Sequence, residues 1–269
     1  MADKTDLYEV DECSPKKKRK ENVGIFPACK PDEEFSKSYM SISTDGEGVL
    51  KIMRVVTVLS TIQSPYRGSF YLKELWKINC MGKNLIWISG RDDTLRLIDR
   101  NGSLSHTVKT SYVVSAMTVN SNKETVFLIG WSDSKVFIYR NKIFEILLEL
   151  TDWLGRGLHY TANGDLLVSM HTQDGVQSKV VRYTGTTEFR EIQYDSQGQH
   201  LFGSKTGGML NLTENGDGDI CVAAFGCNAV IVVDSSGCLR FKYQGHSSNQ
   251  RKNARFYHLI SLLMSVIKH

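Results

Sequence analysis

The residues able to do acid–base, nucleophilic or metal chemistry are present in this chain but not gathered. Seven histidines are spread along 269 residues, and His200, His246, His258 and His269 fall in segments that read as loop or tail. No Gly-x-Ser-x-Gly, phosphate-binding loop or His-Glu-x-x-His pattern occurs, and such patterns are what set a nucleophile, a phosphate or a zinc ion in place. Gly203-Ser204-Lys205-Thr206-Gly207-Gly208 has the glycines of a phosphate loop. It lacks the Walker spacing and a following helix, so a surface loop is the simpler reading. Asp217 and Asp219 flank Gly218 and offer carboxylates to calcium, yet too few further oxygen ligands surround them; they read as a turn. The cysteines Cys13, Cys29, Cys80, Cys221, Cys227 and Cys238 form no Cys-x-x-Cys or Cys-x-x-His pair, which excludes a RING or B-box zinc module. These residues point away from an enzyme and imply no cofactor and no metal.

The remaining chemistry is that of recognition. Trp76, Trp87, Trp131 and Trp153 lie at or near strand-like positions, where packing between layers is the ordinary role. Trp131 ends its run beside Ser132-Asp133 and is also placed to anchor a partner. Arg91, Trp131 and Asp133 are the candidate rim-binding residues. The run Lys16-Lys17-Lys18-Arg19-Lys20 follows Pro15 and has the form of a nuclear-localisation signal; the plain alternative is a solvated charge run. Net charge is +4, with 11 basic and 11 acidic residues in 1–71, 18 and 18 in 72–245, and 4 and none in 246–269. A neutral middle gives no support for a phosphate-binding face. The first twelve residues are polar and acidic rather than signal-like, and the longest apolar stretch, 259–267, is too short to span a bilayer. The expected setting is the cytoplasm, without membrane association, with reduced thiols and with nuclear import where the basic run is used.

The elements that position these residues follow from periodicity. Residues 1–54 hold charge blocks and three of the four prolines, and read as a disordered charged tail. From residue 55 onward, short β-branched runs alternate with Gly, Asn, Asp and Ser. A pair of strands recurs: Leu85-Ile86-Trp87-Ile88 with 95–99, Val126-Phe127-Leu128-Ile129 with 136–139, Leu166-Leu167-Val168-Ser169 with 180–183, and Ile220-Cys221-Val222-Ala223 with 230–234. Their starts are separated by 41, 40 and 54 residues. A period near 40 with several strands per unit is the pattern of propeller blades. A β-sandwich is the alternative, but it does not call for a fourfold repeat. Inner strands are expected at 75–81, 113–120, 157–162 and 207–215, and outer strands at 104–109, 143–150, 188–195 and 239–243. The long third step is read as a rim-loop insertion at 195–208. The fold class is thus all-β, a β-propeller over 55–246 with four visible four-stranded blades. Residues 55–62 are the natural closing strand, and 247–269 form a non-propeller tail with helical character.

The segments Trp87-Ile88-Ser89-Gly90-Arg91-Asp92, Asn163-Gly164-Asp165-Leu166-Leu167-Val168, Lys179-Val180-Val181-Arg182-Tyr183, Gly218-Asp219-Ile220-Cys221-Val222 and Ala229-Val230-Ile231-Val232-Val233-Asp234 resemble the NHL-repeat propellers of invertebrate tripartite-motif-like proteins. The likeness covers about residues 55–246 and rests on many short matches. The Asn-His-Leu position maps to Asn228-Ala229-Val230, and earlier to Asp93-Thr94-Leu95, Ser134-Lys135-Val136 and Ser178-Lys179-Val180. No literal Asn-His-Leu occurs, and Phe225 stands where the family has Asp. The resemblance implies a six-bladed fold and, in relatives with a RING, ubiquitin-ligase activity, which the missing zinc pairs keep from this chain. The expected function is a protein-interaction scaffold, working as a substrate-recruiting arm with full-length relatives through an open propeller edge. RNA binding through a basic propeller face is the alternative.

Overall fold

The computed structural model describes residues 75–130, 134–203, 210–227 and 229–244, together with the backbone of three short strands, β1 (Tyr8–Glu9), β2 (Ile42–Thr44) and β3 (Leu50–Ile52). The first blade comprises β4 (Leu75–Met81), β5 (Leu85–Gly90), β6 (Thr94–Asp99) and β7 (Leu104–Lys109). The second comprises β8 (Val114–Val119), β9 (Thr125–Ile129), β10 (Lys135–Arg140) and β11 (Ile143–Glu149). The third comprises β12 (Trp153–Tyr160), β13 (Leu166–Thr172), β14 (Ser178–Thr184) and β15 (Thr187–Ile192). The fourth comprises β16 (Leu210–Glu214), β17 (Ile220–Ala224), β18 (Ala229–Val233) and β19 (Leu239–Tyr243). Each blade is an antiparallel meander in sequence order, and β1 adds to the outer edge of the fourth. The inner strands pack in succession, β4 on β8, β8 on β12 and β12 on β16. This is a β-propeller, with a 3-10 turn at Phe225–Cys227 and no α-helix among the described residues.

Alternation in the strands gives each blade two apolar faces, and the seams between blades are the cores. Trp87, Leu95 and Leu97 of the first blade meet Val114, Met117 and Phe127 of the second. Leu128, Val136 and Ile138 of the second meet Leu158, Val168 and Val181 of the third. Leu167, Val180 and Ile192 of the third meet Leu212, Val222 and Ile231 of the fourth. The apolar position near the start of the third strand holds Leu95, Val136 and Val180 in the first three blades, each wholly buried in its seam. Val230 has the same register and is only half-buried, because no further described blade covers that face of the fourth.

The turns repeat as well. In four of them an Asp or Asn side chain accepts two backbone N–H bonds ahead of a glycine with positive φ: Asp99 before Gly102, Asp195 before Gly198, Asn215 before Gly218, Asp234 before Gly237. Glycine takes that conformation without the steric cost other residues bear. Asp217 and Asp219 belong to such a turn. Asp219 is buried and takes Arg240 Nε at 2.8 Å.

Two expectations need revision. The third inner strand begins at Trp153 rather than 157, since Gly155 and Gly157 flank a bulge at Arg156 and continue the strand. The insertion at 195–208 is not simply a rim loop. Tyr194 bridges His200, and Leu201 and Phe202 are buried in the seam between the third and fourth blades. The basic run 16–20, the closing strand at 55–62, Trp131, Asp133 and the tail 247–269 lie outside the described residues.

Candidate functional site

Four equivalent positions on the inner strands join each blade to the next with polar groups. Asn79 on β4 donates from Nδ2 to the Met117 carbonyl at 3.4 Å. Thr118 on β8 accepts the Tyr160 N–H at 3.2 Å. His159 on β12 accepts the Glu214 N–H at Nε2, 3.1 Å, and lies 3.4 Å from Thr213 Oγ1 through Nδ1. A ring nitrogen that accepts carries no proton, so Nδ1 is the protonated atom and the donor to Thr213. Strand alternation points to an inner-strand place for His159; its bonding across the seam has no sequence signal.

Nearer the axis, the first and fourth blades touch directly. Lys77 on β4 donates from Nζ to Asn211 Oδ1 on β16 at 3.0 Å. Lys77 is half-buried, and burial pulls its ammonium down to about 8. The equivalent positions on β8 and β12 are Ala116 and Gly157. Beside Gly157, burial lowers the pKa of the Arg156 guanidinium. Burial first, and then Arg156, lower His171, against the bond from its Nδ1 to the Thr172 carbonyl at 2.6 Å.

The second group of interest is a cleft of about 350 Å³ at the open end of the seam between the first and second blades. Met81, Trp87 and Tyr139 supply its apolar walls, and the turns bearing Asn122, Lys123, Glu124, Arg140 and Asn141 supply its polar rim. Its aromatic wall is rigid. Trp87 meets His106 edge-on with centroids 6.3 Å apart, and His106 Nε2 lies 3.0 Å from Tyr139 Oη. The Glu124 carboxylate accepts from Asn120 Nδ2 at 2.7 Å and lies 4.0 Å from Arg140. Burial first, and then Glu124, raise the Tyr160 phenol above its usual range. Lys123 and Asn141 both have left-handed backbones, with φ of 64° and 52°. Such conformations outside glycine cost energy and gather where a structure holds a site in shape. The cleft is the candidate recognition site.

Among the sequence-selected residues, Arg91 is exposed on the rim and lies over the half-buried Trp76 ring at 4.8 Å. It is not part of the cleft lining. Trp87 is packed in the seam core. Trp153 is half-buried beneath Lys179, whose Nζ lies 4.3 Å from the ring centroid. Phe225 begins the 3-10 turn and is exposed. Among the described residues, no group of three or more His, Cys, Asp or Glu is placed to hold a metal ion.

Neither a family model nor a curated protein matches the chain. Solved structures similar to it include virginiamycin B lyase from Staphylococcus aureus, 17% identical, TM-score 0.46, covering 62% of this chain and 54% of the lyase. A putative gluconolactonase is 12% identical, TM-score 0.42, with 59% of each chain covered. Hydrazine synthase from Kuenenia stuttgartiensis is 15% identical, TM-score 0.49, covering 68% of this chain and 53% of that one. The chain thus spans about half the length of the lyase and the synthase. These likenesses concern the propeller in general rather than the NHL type in particular. They also correct one expectation. The sequence expectation excludes an enzyme, yet the similar structures include a lyase and a putative gluconolactonase. That exclusion does not stand, because catalytic sites are grafted onto a fold and need no shared motif.

Proposed function

We propose that the chain is a binding module, an NHL-type propeller that grips a protein partner at the cleft between its first and second blades. The observation that carries this reading is the cleft itself. Aromatic walls fixed by the seam core meet a rim of turns, and two of the rim residues hold strained left-handed backbones. Rigid aromatic surface beside adaptable polar groups is what protein recognition uses. The repeated strand pairs and the motif positions Leu95, Val136 and Val180 support the NHL type. In that setting the chain serves as a substrate-holding arm for full-length tripartite-motif relatives. The face of the fourth blade that no further described blade covers, with Val230 half-buried and Phe241 exposed, is the surface through which it would meet them. The equal count of 18 basic and 18 acidic residues in 72–245 favours protein over RNA.

The test is selection of peptides from a displayed random library by the full chain, repeated with Lys123→Glu combined with Arg140→Glu. Binding at the cleft predicts peptides that lose at least tenfold affinity (about 1.4 kcal/mol) for the variant. Peptides indifferent to these changes would remove the cleft, and salt-sensitive capture of single-stranded RNA in their place would favour the nucleic-acid reading. Ubiquitination of a substrate by the purified chain unaided would remove the accessory-arm role.

A further inference from the structure

We propose that Lys77 is an acyl-acceptor site, whose side-chain amine at the propeller axis takes an acyl group from a thioester. Its partner is a neutral amide, Asn211 Oδ1, whereas Lys109, Lys135 and Lys179 are ion-paired with Asp93, Glu149 and Glu191. Among the described residues no carboxylate forms an ion pair with Lys77. Its side chain is half-buried, and water solvates its charge poorly. Burial alone lowers it to about 8. About a quarter of such an amine is neutral at pH 7.5, against about a thousandth of an ordinary lysine.

The surroundings fit the chemistry. Ser89 stands directly opposite Lys77 in the β4–β5 register and therefore on the same face. Its hydroxyl is wholly buried and has no partner among the described residues; the same is true of the buried Asn79 Oδ1, two residues along. Ser89 thus leaves an unused hydroxyl donor on the face that carries the amine. The matching axial positions, Ala116 and Gly157, carry no side chain beyond Cβ. In the step itself, the nitrogen lone pair attacks the thioester carbonyl, a C–N bond forms and the C–S bond breaks. The thiolate leaves and takes up the proton that nitrogen sheds. The product is a neutral amide, which ends the cost of a poorly solvated charge and separates Lys77 from Asn211. This inference is independent of the cleft.

The test is incubation of the full chain with acetyl-coenzyme A, with acetylation of each lysine followed by mass spectrometry. Lys77 is expected to react at least about tenfold faster than the median exposed lysine at pH 7.5, after allowance for its weaker nucleophilicity. Its rate should level off above about pH 8, while the other lysines continue to accelerate. Asn211→Asp places a carboxylate beside the amine and should slow Lys77 about tenfold, leaving the remaining lysines unchanged. Reaction of Lys77 no faster than exposed lysines, or without the early plateau, overturns the proposal. The plateau is read on the natural chain, so the outcome does not depend on the variant folding.

Discussion

Replacing Gly157 by alanine should separate the third and fourth blades, and the structure sets the cost. An alanine Cβ at this position would stand 2.4 Å from the Leu210 carbonyl oxygen and 2.7 Å from Ser169 Oγ. Neither can yield freely. Leu210 begins the inner strand of the fourth blade, and Ser169 donates to that same carbonyl at 2.6 Å. Overpacking of a close-packed site costs about 1–3 kcal/mol. Losing the serine bond and leaving its buried partners unmatched adds about 1–3 kcal/mol. The expected loss is therefore about 2–6 kcal/mol, read by urea unfolding followed through tryptophan fluorescence. Gly155→Ala is the control. Its Cβ would meet Leu128 Cδ1 and Cδ2 at 2.7 Å. Those are the ends of a side chain able to turn aside, so the expected cost is below about 1.5 kcal/mol. A Gly157→Ala protein within about 0.5 kcal/mol of the natural one, or no costlier than Gly155→Ala, would refute the account of the seam.

Three further outcomes follow from charge and burial. Lys77 is lowered in the folded state, so between about pH 8 and its ordinary value the unfolded chain binds more protons and stability rises with pH; the stability advantage of Lys77→Met should shrink over that window by up to about 1 kcal/mol per pH unit, discounted for partial exposure. A flat difference in paired urea titrations would show that burial does not act on the amine. Asp165→Ala strands Arg182, whose side chain is 7% exposed and bonded from Nε to Asp165 Oδ2 at 2.7 Å; the expected cost is about 3–5 kcal/mol, larger than for Asp165→Leu combined with Arg182→Met. The Cys221 thiol is pushed up to about 12 by burial and then by Asp219; maleimide at pH 7.5 should leave it intact in the folded chain and label it in urea, and rapid native labelling would contradict its burial.

The architecture was legible because its signal is redundant. Four strand pairs with polar turns define blades even where single boundaries slip. The strands Leu75–Met81, Leu104–Lys109 and Leu239–Tyr243 fall where alternation puts them. Trp153–Tyr160 was obscured at its start because two glycines look like a turn, although here they let neighbouring blades approach. The site was far less legible. Asn79, Thr118, His159 and Thr213 share one place in the repeat but only the two threonines share a side-chain type, so no motif connects them. The cleft joins residues from two blades, with Tyr139 and Trp87 meeting through His106 on another strand. Lys77 and Asn211 lie 134 positions apart. An uncharged partner and a buried setting are invisible until the strands are laid side by side.

The order of the seams has a consequence for the chain as it is made. Every blade leans on its successor, so a nascent blade leaving the ribosome shows a bare apolar face until the next one follows. Covering then advances in the direction of translation, one seam per roughly 40 residues. The Lys77–Asn211 bond is different, because its halves belong to the first and fourth blades. It cannot form until the inner strand of the fourth blade has emerged. That bond therefore spans three seams at once, and it reports the arrival of the fourth blade at the first rather than the covering of any one face.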